Sequence, residues 1–130
     1  MHEIKRIKEI FASNPAVIYT CRPSGDFGAT FISENIKKQL GYSPKDFIQD
    51  PSFWMGNIHP DDKNKVLNDI AGLFEKDTHT HEYRFRRADG VFVWMRDELN
   101  LIRDSKGQPV EIVGSWLDIN DRKNLELELQ

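Results

Sequence analysis

The chain has one cysteine, Cys21, so no internal disulfide can staple it and its stability must come from a packed core. No apolar run approaches the roughly 18 residues needed to cross a bilayer. The opening "MHEIKRIKEI" is basic but has no apolar signal core. An excess of one charge is also missing: the net charge is −3, which leaves no basic footprint for nucleic acid. There is no glycine-rich phosphate loop. These absences leave a soluble, mildly acidic domain, expected in the cytoplasm.

What is present is a series of short elements. Ile4, Ile7 and Phe11 recur at helical spacing until Asn14-Pro15 stops the pattern, which predicts an N-terminal amphipathic helix over residues 1–14. "AVIYTCR" and "GATFIS" read as strands, and "SENIKKQLGYS" as a helix capped by Ser33 and ended by Gly41. "SPKDF" offers Ser43 as a cap and Pro44 at the first helical position. The clearest helix starts at "HPDD": Pro60 occupies the first turn, Asp61 and Asp62 complement its positive end, and Val66, Ile70 and Phe74 form the apolar stripe. Three strand-like runs follow, separated by "ADG" and "DSKGQ". A final helix begins over residues 121–130, where Leu125 and Leu129 start a stripe. Strands, small helices and three more strands make an α+β domain with its core over residues 15–120.

Pairing register decides which side chains share a face, because a one-residue slip exchanges the faces. A three-residue loop at "ADG", with Gly90 left-handed, pairs Phe85 with Val93, Tyr83 with Met95, Arg84 with Trp94 and Glu82 with Arg96. The same turn at "DSKGQ", with Gly107 left-handed, pairs Asp104 with Gln108 and carries Leu99 to Val113, Met95 to Leu117 and Val93 to Ile119. Odd-numbered residues of all three strands then face inward. His81, Asp97 and Ser115 form a polar row across that face, either wetted at the sheet's end or anchoring a ligand cavity. The outer face carries Phe92, Trp94, Val110, Ile112 and Trp116, more apolar surface than a monomer leaves in water. The stripe of Ile4, Ile7 and Phe11, or a second copy of the chain, is expected to cover it.

Other chemistry is poorly supported. His79 and His81 stand two apart on one strand face, but no further Cys or His falls at ligand spacing, so no metal site is assigned. His81, Asp97 and Ser115 have the composition of a triad but no nucleophile elbow or oxyanion hole, so no catalytic residue is assigned.

The ordered pieces "NIKKQLGYSPKDF", "FWMGNIHPDD", "YRFRRADGVFVWMRD" and "VGSWLDINDRK" resemble a PAS domain from about Ile10 to Lys123. The resemblance is strongest to the subgroup with an HPDD helix start and a DIT-like end. It implies a five-stranded antiparallel sheet flanked by short helices. It also implies a non-catalytic sensor module upstream of an effector such as a histidine kinase or a cyclic-dinucleotide enzyme. Asp118, in "LDIN", takes the place of the family's acidic residue that couples the sheet to the exit helix, with Asn120 for the usual threonine. A salt bridge from Asp118 to Arg96, beside Trp94, is the expected signal relay. Haem-binding members carry an axial histidine in the longest helix, and residues 63–76 have none. Covalent flavin members carry a cysteine after the second helix, and "DPSFWMGN" has none. The cofactor is thus unknown, with haem and covalent flavin disfavoured.

Two functions follow. In one, a cavity lined by Tyr83, Phe85, Met95, Asp97, Ser115 and Leu117, with His81 at its rim, binds a small ligand and drives the effector in the parent chain. In the other, the domain is a ligand-free homodimerisation module docking through Ile4, Ile7, Phe11, Phe92, Trp94 and Trp116.

Overall fold

The computed structural model describes residues 15–129, so the N-terminal stripe of Ile4, Ile7 and Phe11 lies outside the described residues. Two strands, β1 (Val17–Cys21) and β2 (Ala29–Ile32), open the fold. Four helices follow: α1 (Ile36–Leu40), α2 (Pro44–Ile48), α3 (Phe53–Asn57) and α4 (Pro60–Lys76). The strands β3 (Thr78–Arg86), β4 (Phe92–Arg103) and β5 (Pro109–Asp118) lead into α5 (Asn120–Leu129). The sheet is antiparallel with strand order β2-β1-β5-β4-β3. Strand β5, last in sequence, therefore sits at the centre, where the first and last parts of the chain must meet.

Local chemistry explains most of the helix boundaries. Gly41 adopts φ +85° and ends α1, a conformation in which a side chain would be strained. Ser33 is not the cap of α1: its Oγ accepts from Ile18 N–H at 2.9 Å and donates to Asn35 at 2.5 Å, tying the helix entry to β1. Pro44 opens α2 after Ser43, whose N–H donates to Asp46 at 2.9 Å. The start of α4 is held to the sheet by Asp62, which accepts from Arg84 N–H at 2.8 Å, Nε at 2.9 Å and Nη2 at 2.8 Å. Those bonds hold the Asp62 carboxyl below its usual range. α4 buries Val66, Ile70 and Leu73 against the sheet.

The β3–β4 hairpin has the expected register, with Phe85 opposite Val93, Tyr83 opposite Met95 and Glu82 opposite Arg96. Gly90 is left-handed at φ +90°. The β4–β5 turn also forms as expected: Gly107 has φ +81°, and Asp104 N–H donates to Gln108 O at 2.9 Å. One residue later the pairing slips. Arg103 faces Pro109 but Ile102 faces Glu111, which leaves Val110 as the extra residue of a β-bulge. Pro109 has no N–H to give the ladder, and a bulge is where a strand tolerates that loss.

The slip overturns the expected faces of β5. Leu99 lies opposite Gly114, Asp97 opposite Trp116 and Met95 opposite Asp118. Ile112 and Trp116 are buried at 1% and 3% exposure on the inner side, while Ser115 and Leu117 belong to the outer side. Trp116 joins Phe47, Phe85, Met95 and Val17 in the main core, its ring 4.6 Å from that of Phe85. The bulge brings Ile112 and Trp116 inward in place of Val113, Ser115 and Leu117, so the largest ring of the strand fills the core and a hydroxyl leaves it.

The two residues separate the registers by experiment. Trp116→Ala is expected to cost about 3–5 kcal/mol of unfolding free energy in urea, and Leu117→Ala about 1 kcal/mol or less. The reverse order would restore the unbulged register.

Candidate functional site

The inner face carries one buried carboxylate. Asp97 is 2% exposed and accepts from the Tyr19 hydroxyl at 2.5 Å and the Tyr83 hydroxyl at 2.7 Å. Tyr83 in turn accepts from Trp54 Nε1 at 2.9 Å, which brings helix α3 into the network. Tyr19 reaches Asp97 because it pairs with Gly114 across β1 and β5. A Cβ at Gly114 would overlap the Tyr19 ring, so the glycine provides the space over which the ring lies. Beside Asp97 is a cavity of about 40 Å³ whose walls include Tyr19, Phe27, Trp54, Leu99 and Trp116. That volume holds a few waters, far below the roughly 300 Å³ of a small drug-sized site.

The electrostatics follow from burial. Loss of hydration pushes the Asp97 carboxyl up to about 6, with the two tyrosine hydrogen bonds pulling the other way. Burial also drives both tyrosine hydroxyls well above their ordinary range, so they remain donors. Cys21, in the cavity wall, is pushed to about 12 and stays a thiol. Next to Asp97 on β3, His81 is buried and lowered to about 4 by desolvation. Its Nδ1 lies 3.2 Å from Asp69 on α4 and its Nε2 3.9 Å from Asp97.

The expected site residues divide. His81, Tyr83, Phe85, Met95 and Asp97 all face inward and are buried, but of these only Asp97 borders the cavity. Ser115 and Leu117 stand on the opposite face because of the bulge, so the expected row of His81, Asp97 and Ser115 is broken and Trp116 takes the third place. Trp116 is core rather than docking surface. Tyr19, Phe27 and Trp54, which shape the cavity, come from parts of the chain whose alignment over the sheet has no periodic signal. The lone strand glycine Gly114 is the one mark that points to them.

The outer face is organised around Trp94. Arg84 lies 5.2 Å from its ring centre and Lys123 of α5 lies 5.0 Å from it, a double cation–π contact. Glu82 binds Arg122 at 2.6 Å, Lys123 at 3.0 Å and Arg96 at 3.7 Å, and Arg122 foremost, with Lys123, keeps its carboxyl low. The expected Asp118–Arg96 bridge gives way to other pairings. Arg96 turns to Glu82 and to Glu98 at 3.1 Å. Asp118 accepts from Asn120 N–H at 2.8 Å, while Asn120 accepts from Trp94 N–H at 3.3 Å. Among the described residues, the exit helix is what covers Trp94. Phe92 is 38% exposed.

The raised Asp97 pKa has a definite sign. Between about 4 and 6 the folded state keeps a proton that the unfolded chain releases, so this group's contribution to stability falls as pH rises and is fully lost above that window. Tyr19, Tyr83, Cys21 and His81 face it and none supplies a cation at neutral pH. The stability difference between the wild type and Asp97→Asn should favour the wild type by about 2 kcal/mol more at pH 4 than at pH 8. Urea titrations across that range measure it, and a difference independent of pH would contradict the assignment.

Comparison with known proteins agrees with this architecture. The PAS fold family matches residues 29–116. The chain is 31% identical over 121 residues to the two-component sensor PprA of Pseudomonas aeruginosa, covering 90% of this chain and 13% of that protein. It is 30% identical over 122 residues to the methyl sulfide methyltransferase-associated sensor of Methanosarcina acetivorans, covering 92% of this chain and 12% of that one. The chain thus spans a small part of these curated relatives. A crystal structure of a sensory box histidine kinase/response regulator from Burkholderia thailandensis E264 has a TM-score of 0.75 at 30% identity, over 95% of this chain and 92% of that chain. No helix among the described residues is long and apolar enough to cross a membrane. With its sheet order, its HPDD helix and these matches, the chain belongs to the PAS fold family.

Proposed function

We propose that this domain is a sensory relay that registers a change on the inner face of its sheet and passes it through β3 to α5. The observation that carries this reading is the alternation along β3. His81 and Tyr83 reach inward to Asp97, while Glu82 between them reaches outward to Arg122 and Lys123. A shift of β3 that accommodates a change at Asp97 must move Glu82 with it, because neighbouring residues of a strand share one rigid backbone. The output is a change in how firmly α5 sits on Trp94. An effector beyond α5, of the histidine kinase or cyclic-dinucleotide class, would read that change. Leu125, Leu127 and Leu129 stay exposed on α5 and are available to contact such a module. The sensed event is small, since the cavity takes a few waters or a ligand of similar size.

A second reading, a ligand-free homodimerisation module, is favoured by that small volume and by Phe92, Ile102 and Val110 at the surface. Sedimentation separates the two: Phe92→Asp should lower the dimer fraction, and a wild-type monomer at high concentration would exclude this alternative.

The relay is tested by an interior change with an exterior readout. In Glu82→Gln, amide hydrogen exchange over residues 121–129 should quicken about fivefold, the effect of losing about 1 kcal/mol of charge-assisted bonding. In Asp97→Asn, those same amides should quicken at least about twofold. A response in the first variant without any in the second would refute communication through β3.

A further inference from the structure

Beneath α4, the fold brings Asp69 of the helix up to His79 and His81 of the strand that follows it, three side chains of metal-binding type. Asp69 leaves α4 towards the inner side of β3, where His79 and His81 stand two residues apart. Asp69 Oδ2 is 3.2 Å from His81 Nδ1 and 3.9 Å from His79 Nε2, and the three donor atoms all lie within 4.8 Å of one another. Tetrahedral ligands at about 2.0–2.2 Å from a zinc-like ion lie about 3.3–3.6 Å apart, so a closing of the widest pair by about an ångström, within reach of side-chain rotation, would complete the set. The two imidazole rings are 5.0 Å apart and steeply inclined, at 76°, so their nitrogens can converge without stacking.

A second observation is independent of that spacing. Both His79 Nε2 and His81 Nε2 are buried without a hydrogen-bond partner, and the His81 side chain is 3% exposed. Buried polar atoms without partners are rare in native proteins. At His79 the orphan nitrogen is itself the one that faces Asp69. At His81 the orphan lies on the far side of the ring, 3.9 Å from Asp97 Oδ2. When Nδ1–H is spent on Asp69, the Nε2 lone pair of a neutral ring faces a carboxylate oxygen, an arrangement with no attraction in it. A metal on Nδ1 puts the ring proton on Nε2, directed at Asp97. Carboxylate partners of this kind are the usual support for a ligating histidine.

We propose that Asp69, His79 and His81 form a binding site for a divalent d-block cation of the zinc class, with Asp97 as the outer partner of His81. Two imidazoles and one carboxylate suit zinc, cobalt or nickel rather than calcium or magnesium, which prefer all-oxygen shells. Asp69 and His79 are 26% and 28% exposed, so ions can enter from that side and water can complete the coordination. Lys65, whose Nζ lies 3.8 Å from Asp69 Oδ2 and is 69% exposed, is the cation that an ion would displace into solvent. The site stands whether or not the relay through β3 operates. If both hold, the ion acts on the same carboxylate from which the relay starts.

The test uses the untagged chain of residues 1–130 after EDTA treatment and dialysis, titrated with cobalt(II) and with zinc(II). One ion per chain is expected, and cobalt should give visible d–d absorption of tetrahedral or five-coordinate character. His79→Ala and Asp69→Asn should each weaken binding at least about tenfold, with circular dichroism of the metal-free variants unchanged. Those two residues are chosen because they are partly exposed, whereas replacing the buried His81 could disturb folding. His2→Ala and His59→Ala are the controls for the other two histidines and should bind as the wild type does. Nitrogen-15 spectra of the imidazoles should show the His81 proton moving from Nδ1 to Nε2 when zinc is added. Absence of binding below millimolar metal would overturn the site, as would affinity that depends on His2 or His59 instead of His79 and Asp69. Binding without a change of His81 tautomer would overturn the link to Asp97. The relay has its own readout at α5, so its failure is distinguishable from failure of the metal site.

Discussion

Removing a carboxylate from water costs several kcal/mol unless other donors replace the lost hydration, and the interior of this domain is arranged around meeting that cost at Asp97. Its two donors come from opposite directions. Tyr83 is a near neighbour on the adjacent strand, whereas Tyr19 arrives from β1 across the width of β5. The second donor is available only because β5 presents a glycine beneath the ring. The glycine is on that side only because a bulge next to Pro109 has turned the strand over. A single bulge therefore sets the core position of Trp116, the access of Tyr19 to Asp97 and the shape of the cavity.

The same arrangement places interior and exterior events on one strand. β3 is the sheet's edge by strand order, yet it is covered on both faces: by α4 inside and, through Glu82, Arg84 and Trp94, by α5 outside. Inward contacts are buried hydrogen bonds with strict geometry, and outward contacts are ion pairs and cation–π contacts that tolerate movement. Rigid on one side and compliant on the other, the strand can register small displacements without unfolding.

Much of this was readable in the amino-acid order, and the reasons for the remainder are specific. The β3–β4 hairpin was legible because Gly90 defines its turn and because one register alone segregates Tyr83, Phe85, Val93 and Met95 from the arginines. The α4 start was legible from Pro60, Asp61 and Asp62. The faces of β5 were not, because both of its alternating sets contain apolar residues: Ile112 and Trp116 in one, Val113 and Leu117 in the other. With no contrast between the sets, register could be carried only from the turn, and the bulge broke that count one residue beyond it. Asp69 was invisible as a partner of His79 and His81 for another reason. Helix α4 and strand β3 have different periods, so spacing along the chain says nothing about which of their residues meet.

Because β5 offers no side chain above Gly114, the bulk of position 19 governs much of the room inside the domain. A descendant exchanging Tyr19 for a smaller residue would open a chamber floor without rebuilding a strand, at the expense of one donor to Asp97. Capacity for larger guests could thus evolve from the first strand by single substitutions, while the scaffold that holds α5 stays as it is.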